Sequence, residues 1–174
     1  KGESSVEYLL RDGTPSVSKM LTNISNDSQR NDLIVKILKE LSQDPERSIL
    51  VMSDRINQLV YINKKLSNSG LFIGKMKSEE RLISKEKQIV LGTYGLVNEN
   101  FNLPKLNTLL FATPRSSVTQ AIGRIYRKLH QITPIIVDIR DNFSLFTGQF
   151  YKRSKIYKSQ ISSPIFKEME WNLR

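Results

Sequence analysis

Five short apolar runs, separated by segments of helical period, constrain this chain more than any other feature. The runs are Ser48–Ser53 (SILVMS), Leu71–Ile73, Gln88–Thr93 (QIVLGT), Thr108–Ala112 (TLLFA) and Ile135–Ile139 (IIVDI). Each is strand-length and bounded by turn residues, the pattern of a strand buried on both faces. Before the first run, Leu33, Ile34, Ile37, Leu38 and Leu41 repeat at helical spacing behind a cap at Asp27 or Ser28, and Asp44-Pro45 ends that helix. A short helix over Ser16–Ile24 precedes it. A helix from Asp54 turns Ile56, Leu59, Val60 and Leu66 inward, and Asn68-Ser69-Gly70 stops it. A short charged helix starts at Ser78, Leu96–Lys105 reads as irregular, and helices are expected over Ser116–Leu129 and about Asn142–Ser159. Strands alternating with helices predict an α/β domain, a parallel sheet with helices on both faces. We expect a linker or severed connection over 1–15, one domain over 16–159 and an extension over 160–174. The absence of an initiating Met suggests an excised domain.

In such sheets, ligands meet the loops at the carboxyl ends of the strands. The chemically distinctive residues fall there: Ser53-Asp54-Arg55, Gly74-Lys75, Thr93-Tyr94-Gly95, and Thr113-Pro114 ahead of the Ser116 helix. Charge points the same way. The 174 residues carry 27 Lys and Arg against 17 Asp and Glu, a formal net charge of +10. From Arg115 onward there are eleven basic and four acidic residues, so the last third holds most of the excess. A polyanionic partner follows from that balance. There is no cysteine and one histidine, His130, which excludes a thiolate metal site and argues against a zinc centre or a Ser-His triad. His130 suits a helix end or the surface. No apolar run reaches membrane-spanning length, and an intracellular protein is expected.

Within Ser116–Leu129, Val118, Ala121, Ile122, Ile125 and Leu129 share one side of a helix. Gln120, Arg124 and Arg127 form a narrow stripe on the other, and Gly123 removes bulk beside it. No acid lies between Arg115 and Leu129, and the planar fork of Arg suits phosphate oxygens. The run Gln120–Arg127 (QAIGRIYR) resembles the QxxGRxxR motif VI of superfamily 2 helicases. Gly92–Pro104 (GTYGLVNENFNLP) resembles their motif V: Thr93, beside Gly92, matches the residue that holds a nucleic-acid phosphate, and Glu99 and Asn102 match the nucleotide-side positions. Asn100 stands where Gly is usual, a substitution that the tolerance of Asn for positive φ softens. Leu50–Gln58 resembles motif IV, with Ser53 and Arg55 as backbone contacts, although Ser-Asp after a strand is also a good helix start. Lys75, in Gly74–Lys77, resembles a phosphate contact of the next loop.

The resemblance covers roughly residues 40–138. It implies a RecA-like fold and the second lobe of an ATP-dependent helicase tracking DNA or RNA, single- or double-stranded, 3′ to 5′. Arg127 is implied as the arginine finger, Arg124 as a γ-phosphate contact and Gln120 as the orienting group, with Gly123, Asn102 and Glu99 on the nucleotide. Thr93, Gly92, Ser53, Arg55 and Lys75 are implied on nucleic acid. No G-x-x-x-x-G-K-[ST] loop and no D-E-x-H run occurs, so ATP and Mg²⁺ are expected mainly on an N-terminal RecA-like lobe of the same polypeptide. The lobe alone is expected to be inactive as an ATPase. The phrasing around LNTLLFATPRSSVTQAIGRIYRK is most similar to helicases of large cytoplasmic DNA viruses, poxvirus transcript-release helicases and their asfarvirus counterparts. This implies a link to transcription machinery and a place in the host cytoplasm or virion.

Two other readings stay open at this stage. One is a basic nucleic-acid-binding module without ATP linkage, and the other is a degenerate lobe that serves as a docking platform. In the last helix, Lys152, Arg153, Lys155 and Lys158 lie among Phe150, Tyr151 and Tyr157, which suits a strand-tracking surface. Phe143, Phe146, Phe150 and Tyr157 alternatively form a stripe that packs on the sheet, leaving the lysines outward.

Overall fold

All five apolar runs become strands of one parallel sheet. The computed structural model describes residues 5–126, 130–162 and 164–169. In chain order the elements are α1 (Val17–Asn26), α2 (Ser28–Leu41), β1 (Ile49–Ser53), α3 (Ile56–Lys64), β2 (Ser69–Phe72), α4 (Ser78–Lys85), β3 (Ile89–Thr93), α5 (Tyr94–Asn100), β4 (Thr108–Phe111), α6 (Thr119–Ile125), β5 (Ile135–Asp138) and α7 (Ser144–Gln160). The strand order is β2-β3-β1-β4-β5, and every pairing is parallel.

Alternation along the strands divides the core. Leu50, Met52, Val90, Leu109 and Phe111 point to one face and pack with Val97, Phe101, Ile122, Ile125 and Tyr157 of α5, α6 and α7 and the segment after α5. Ile49, Val51, Ile89, Leu91 and Leu110 point to the other and meet Ile34, Leu38, Leu59 and Ile62 of α2 and α3. A third cluster joins Met20, Leu21 and Ile24 of α1 to Phe146 of α7. Most of the helix stripes read from the sequence lie on the buried faces, but in α3 Val60, expected to face inward, is only half-buried, and Gln58 and Ile62 are buried instead. Asp27 caps α2 as expected, its carboxylate accepting from Arg30 N–H at 3.0 Å.

Three segments differ from the sequence reading. β2 takes in Ser69 and Gly70, expected to end the preceding helix, and stops short of Ile73. The region expected to be irregular begins with α5, because Tyr94, Val97 and Phe101 (i, i+3, i+7) are all drawn into the core. The helix expected from Ser116 begins only at Thr119. Val118 is buried in a non-helical conformation (φ −129°, ψ 7°), so Ser116 and Ser117 stay in the connection.

Candidate functional site

The carboxyl ends of β1, β3, β4 and β5 are tied into one polar layer. Asp54 N–H donates to Thr113 Oγ1 at 2.9 Å, and Tyr94 OH donates to the Thr113 carbonyl at 2.9 Å. Arg115 bonds the Asp54 carboxylate at 3.2 Å and lies 4.7 Å from the Tyr94 ring centroid. Burial, reinforced by the Asp54 charge, pushes the Tyr94 phenol well above its ordinary range. The loops after β1, β3 and β4 thus share hydrogen bonds through Asp54, Thr113 and Tyr94. All three lie in the loop runs that the sequence marks as distinctive, but no role for them is read there.

Beneath this layer two arginines are fully committed to the protein. Arg153 makes a two-pronged bond to Asp138, both contacts at 2.8 Å, and donates to the Arg115 carbonyl at 2.7 Å. Its burial opposes the charge, yet the Asp138 bonds hold its pKa above the ordinary value. Arg30 grips Asp141 in the same way, both contacts at 2.8 Å, and donates to the Ala112 carbonyl at 2.6 Å. Arg153 thus does not belong to a strand-tracking surface. Asp138, the last residue of β5, claims its guanidinium.

The motif IV candidates are likewise turned inward. Ser53 is fully buried, accepting from Arg55 N–H at 2.9 Å and donating to Gln58 Oε1 at 2.7 Å. Its hydroxyl organises the start of α3, and the expected contact with a nucleic-acid backbone does not hold for it. Arg55 reaches back to α1, donating to Thr22 Oγ1 at 3.1 Å and to the Ser18 carbonyl at 2.9 Å. It fastens α1 to the β1–α3 junction. Gly92 lies in a strand paired on both sides, and a Cβ there would sit 2.5 Å from Val97 Cγ2 and 3.3 Å from the Phe72 carbonyl oxygen. Its role is to let α5 approach the sheet, and it offers no surface to a nucleic-acid strand.

The motif V and VI candidates come together. Arg124 on α6 donates to the carbonyls of Val97 and Asn98, both at 2.8 Å, and to that of Phe101. These carbonyls lie at the C-terminal, negative end of the α5 dipole, where Val97 also accepts from the Phe101 N–H at 3.2 Å. Arg124 therefore binds α5 to α6. On the same helix Gln120 is exposed, and among the described residues nothing lies within 4 Å of where a Cβ on Gly123 would be. Thr93 is half-buried where β3 passes into α5, while Glu99, Asn102 and Lys75 are exposed. Arg127 lies outside the described residues. His130 sits at the end of α6, its Nε2 bonded to the Ile125 carbonyl, as expected for a residue at a helix terminus. Among the described residues no group of His, Cys, Asp and Glu could hold a metal, and no helix is long and apolar enough to cross a membrane.

A parallel five-stranded sheet in this order, flanked by helices and with its polar loops at the carboxyl edge, is a RecA-like α/β domain. The fold matches that of T4 UvsW with a TM-score of 0.65, at 20% identity, over 83% of this chain and 35% of that one. No family model matches the chain. In sequence it is 34% identical over 155 residues to a protein named "putative ATP-dependent RNA helicase" of Acanthamoeba polyphaga mimivirus, covering 84% of this chain and 30% of the relative. A protein of the same description from African swine fever virus is 37% identical over 82 residues, 45% of this chain and 16% of the relative. The chain is a helicase-like domain, homologous to part of these proteins of large DNA viruses. It spans under a third of the mimivirus relative's length.

Proposed function

We propose that this domain is the second RecA-like lobe of an ATP-dependent nucleic-acid helicase. The observation that carries the reading is the outer stripe of α6: Gln120 is exposed, Gly123 is open, and no carboxylate occurs from Arg115 to Tyr126. A stripe so shaped and charged fits a polyphosphate. ATP with Mg²⁺ would be held mainly by an N-terminal lobe, and it would supply the phosphoryl group whose transfer drives the cycle.

On this lobe, Gln120 orients, Arg124 contacts the γ-phosphate and Arg127 serves as the finger. Gly123 permits close approach, with Glu99 and Asn102 on the nucleotide side. Arg124 already bridges α6 to α5, so its movement toward an anion would reach α5 and Thr93, the residue assigned to a nucleic-acid phosphate. Lys75, exposed after β2, is a further phosphate contact. Ser53 and Gly92, both buried, have no part in this reading, while Arg55, half-buried and bound to α1, stays a candidate backbone contact. The nucleic acid is DNA or RNA, and the resemblance of the motif VI region to viral transcript-release helicases implies a place in transcription, in the host cytoplasm or the virion.

The test is steady-state ATPase of the intact polypeptide, wild type against Arg127→Ala, with and without single-stranded DNA and RNA. An arginine finger is typically worth ~10³ to 10⁵ in rate, and a loss on that scale with nucleic-acid binding retained is expected. Unchanged turnover would overturn the assignment and favour a basic binding module without ATP linkage.

A further inference from the structure

α7 has two unlike faces. Phe146, Arg153 and Tyr157 are buried and explain why the helix packs where it does. The opposite side carries Tyr151, Lys152, Lys155 and Lys158, all exposed. Their spacing of i, i+1, i+4 and i+7 keeps them on one side of the helix. No carboxylate occurs anywhere in α7, whereas the exposed helix α4 mixes Glu79 and Glu80 with Lys85. Among the described residues none of these three lysines has an ion-pair partner. The fold therefore accounts for the inner face, while on the outer one Lys158 lies 6.0 Å from the Phe166 ring centroid and no lysine meets a carboxylate among the described residues.

Tyr151 is the second observation. Its side is 54% exposed, a large ring given to solvent, yet it is held. The Arg140 guanidinium lies 4.9 Å from the Phe150 centroid and 5.7 Å from that of Tyr151, and the two rings meet edge to face at 5.9 Å. A ring fixed in this way loses little freedom when a flat partner stacks on it. From Lys152 to Lys158 the helix rises about 9 Å, from 1.5 Å per residue. The three lysines therefore form a row long enough to meet more than one phosphate of a strand.

We infer that this outer face of α7 binds single-stranded nucleic acid, with phosphates on Lys152, Lys155 and Lys158 and a base stacked on Tyr151. The inference rests on the nucleic-acid part of the proposed function but uses none of the α6 residues. An acidic peptide would match the lysines alone; a strand matches the lysines and the ring, because every base has a face to stack.

Fluorescence anisotropy of labelled dT20 and rU20 on the full chain, titrated at several NaCl concentrations, tests it. Replacing Lys152, Lys155 and Lys158 together by Ala should weaken binding at least about 10-fold. It should also lower the slope of log affinity against log salt by about 2, at roughly 0.7 per phosphate contact on single strands. The same three positions changed to Arg should keep wild-type affinity, which shows that charge and not helix integrity is read. Tyr151→Ala should cost about 5-fold or more with the slope unchanged, as loss of one stacked base predicts, and Tyr151→Phe should not. Wild-type affinity and slope in the triple Ala variant would overturn the surface and leave the second-lobe reading standing. No binding of either strand by the wild-type chain would overturn both the surface and the nucleic-acid part of that reading. Equal displacement of the strand by polyglutamate at matched charge would overturn it in favour of an acidic protein partner.

Discussion

Arg153 and Lys155 stand two residues apart on α7 and do opposite things. Arg153 is fully buried, its guanidinium closed around Asp138 and the Arg115 carbonyl, while Lys155 is exposed with no carboxylate on its helix. Arg30 repeats the first behaviour at Asp141, and the open stripe of Gln120 and Gly123 on α6 repeats the second. The difference is a matter of partners. Arg153 and Arg30 find Asp138 and Asp141 near the end of β5 and become part of the scaffold. A cation on the outer faces of α6 or α7 lacks such a partner nearby in sequence and depends on what the fold brings. Arg124 shows a third outcome: it settles on carbonyls at the end of α5.

The contrast is most easily broken by removing charges from each side of α7. Arg153→Ala leaves Asp138 buried without its cation, and breaking such a pair typically costs ~3–5 kcal/mol. Lys155→Ala should stay within about 0.5 kcal/mol, as surface changes do. Equilibrium unfolding in urea measures both, and similar values would end the distinction. The same comparison can be put to two glycines. Gly92→Ala drives a methyl into Val97 and should destabilise by ~1–3 kcal/mol, the usual cost of overpacking.

Gly123→Ala meets open space inside a helix, so it should be neutral or stabilise by up to ~1 kcal/mol. The helicase reading nevertheless expects the ATPase of the intact polypeptide to fall, because the methyl lies on the nucleotide stripe. A Gly123→Ala protein with full activity would place the nucleotide elsewhere. The smallest effect concerns pH. Burial and the Asp138 charge raise the Tyr157 phenol, and burial raises Tyr94, above their ordinary value of 10.0. Below that value both states hold the proton and stability is complete. Above it the unfolded chain releases protons that the folded chain keeps, so stability falls as pH climbs. Tyr157→Phe should flatten this alkaline decline in melting temperature without abolishing it, since Tyr94 remains.

Much of the domain can be read before any coordinates. Runs such as Ile49–Met52 are apolar on every residue because both faces of the sheet are covered, and that pattern has few other solutions. The stripe on α6 follows from helical periodicity, so Gln120 and Arg124 fall together whatever surrounds them. Helix α5 was legible in principle from Tyr94, Val97 and Phe101, but its polar residues and the nearby Pro104 suggest a loop. The fates of Ser53, Arg55 and Arg153 were not legible. Each depends on a group far along the chain or across a turn: Ser18 and Thr22 for Arg55, Asp138 for Arg153, and the burial of the β1 end for Ser53.

The sequence by itself determined the alternation of strands and helices, the carboxyl-edge position of the distinctive loops, and the basic excess of the last third, because periodicity and charge are local properties. Only the tertiary structure decided which cations are scaffold and which face outward. A guanidinium takes the nearest desolvated acceptor, and folding alone determines which acceptor that is.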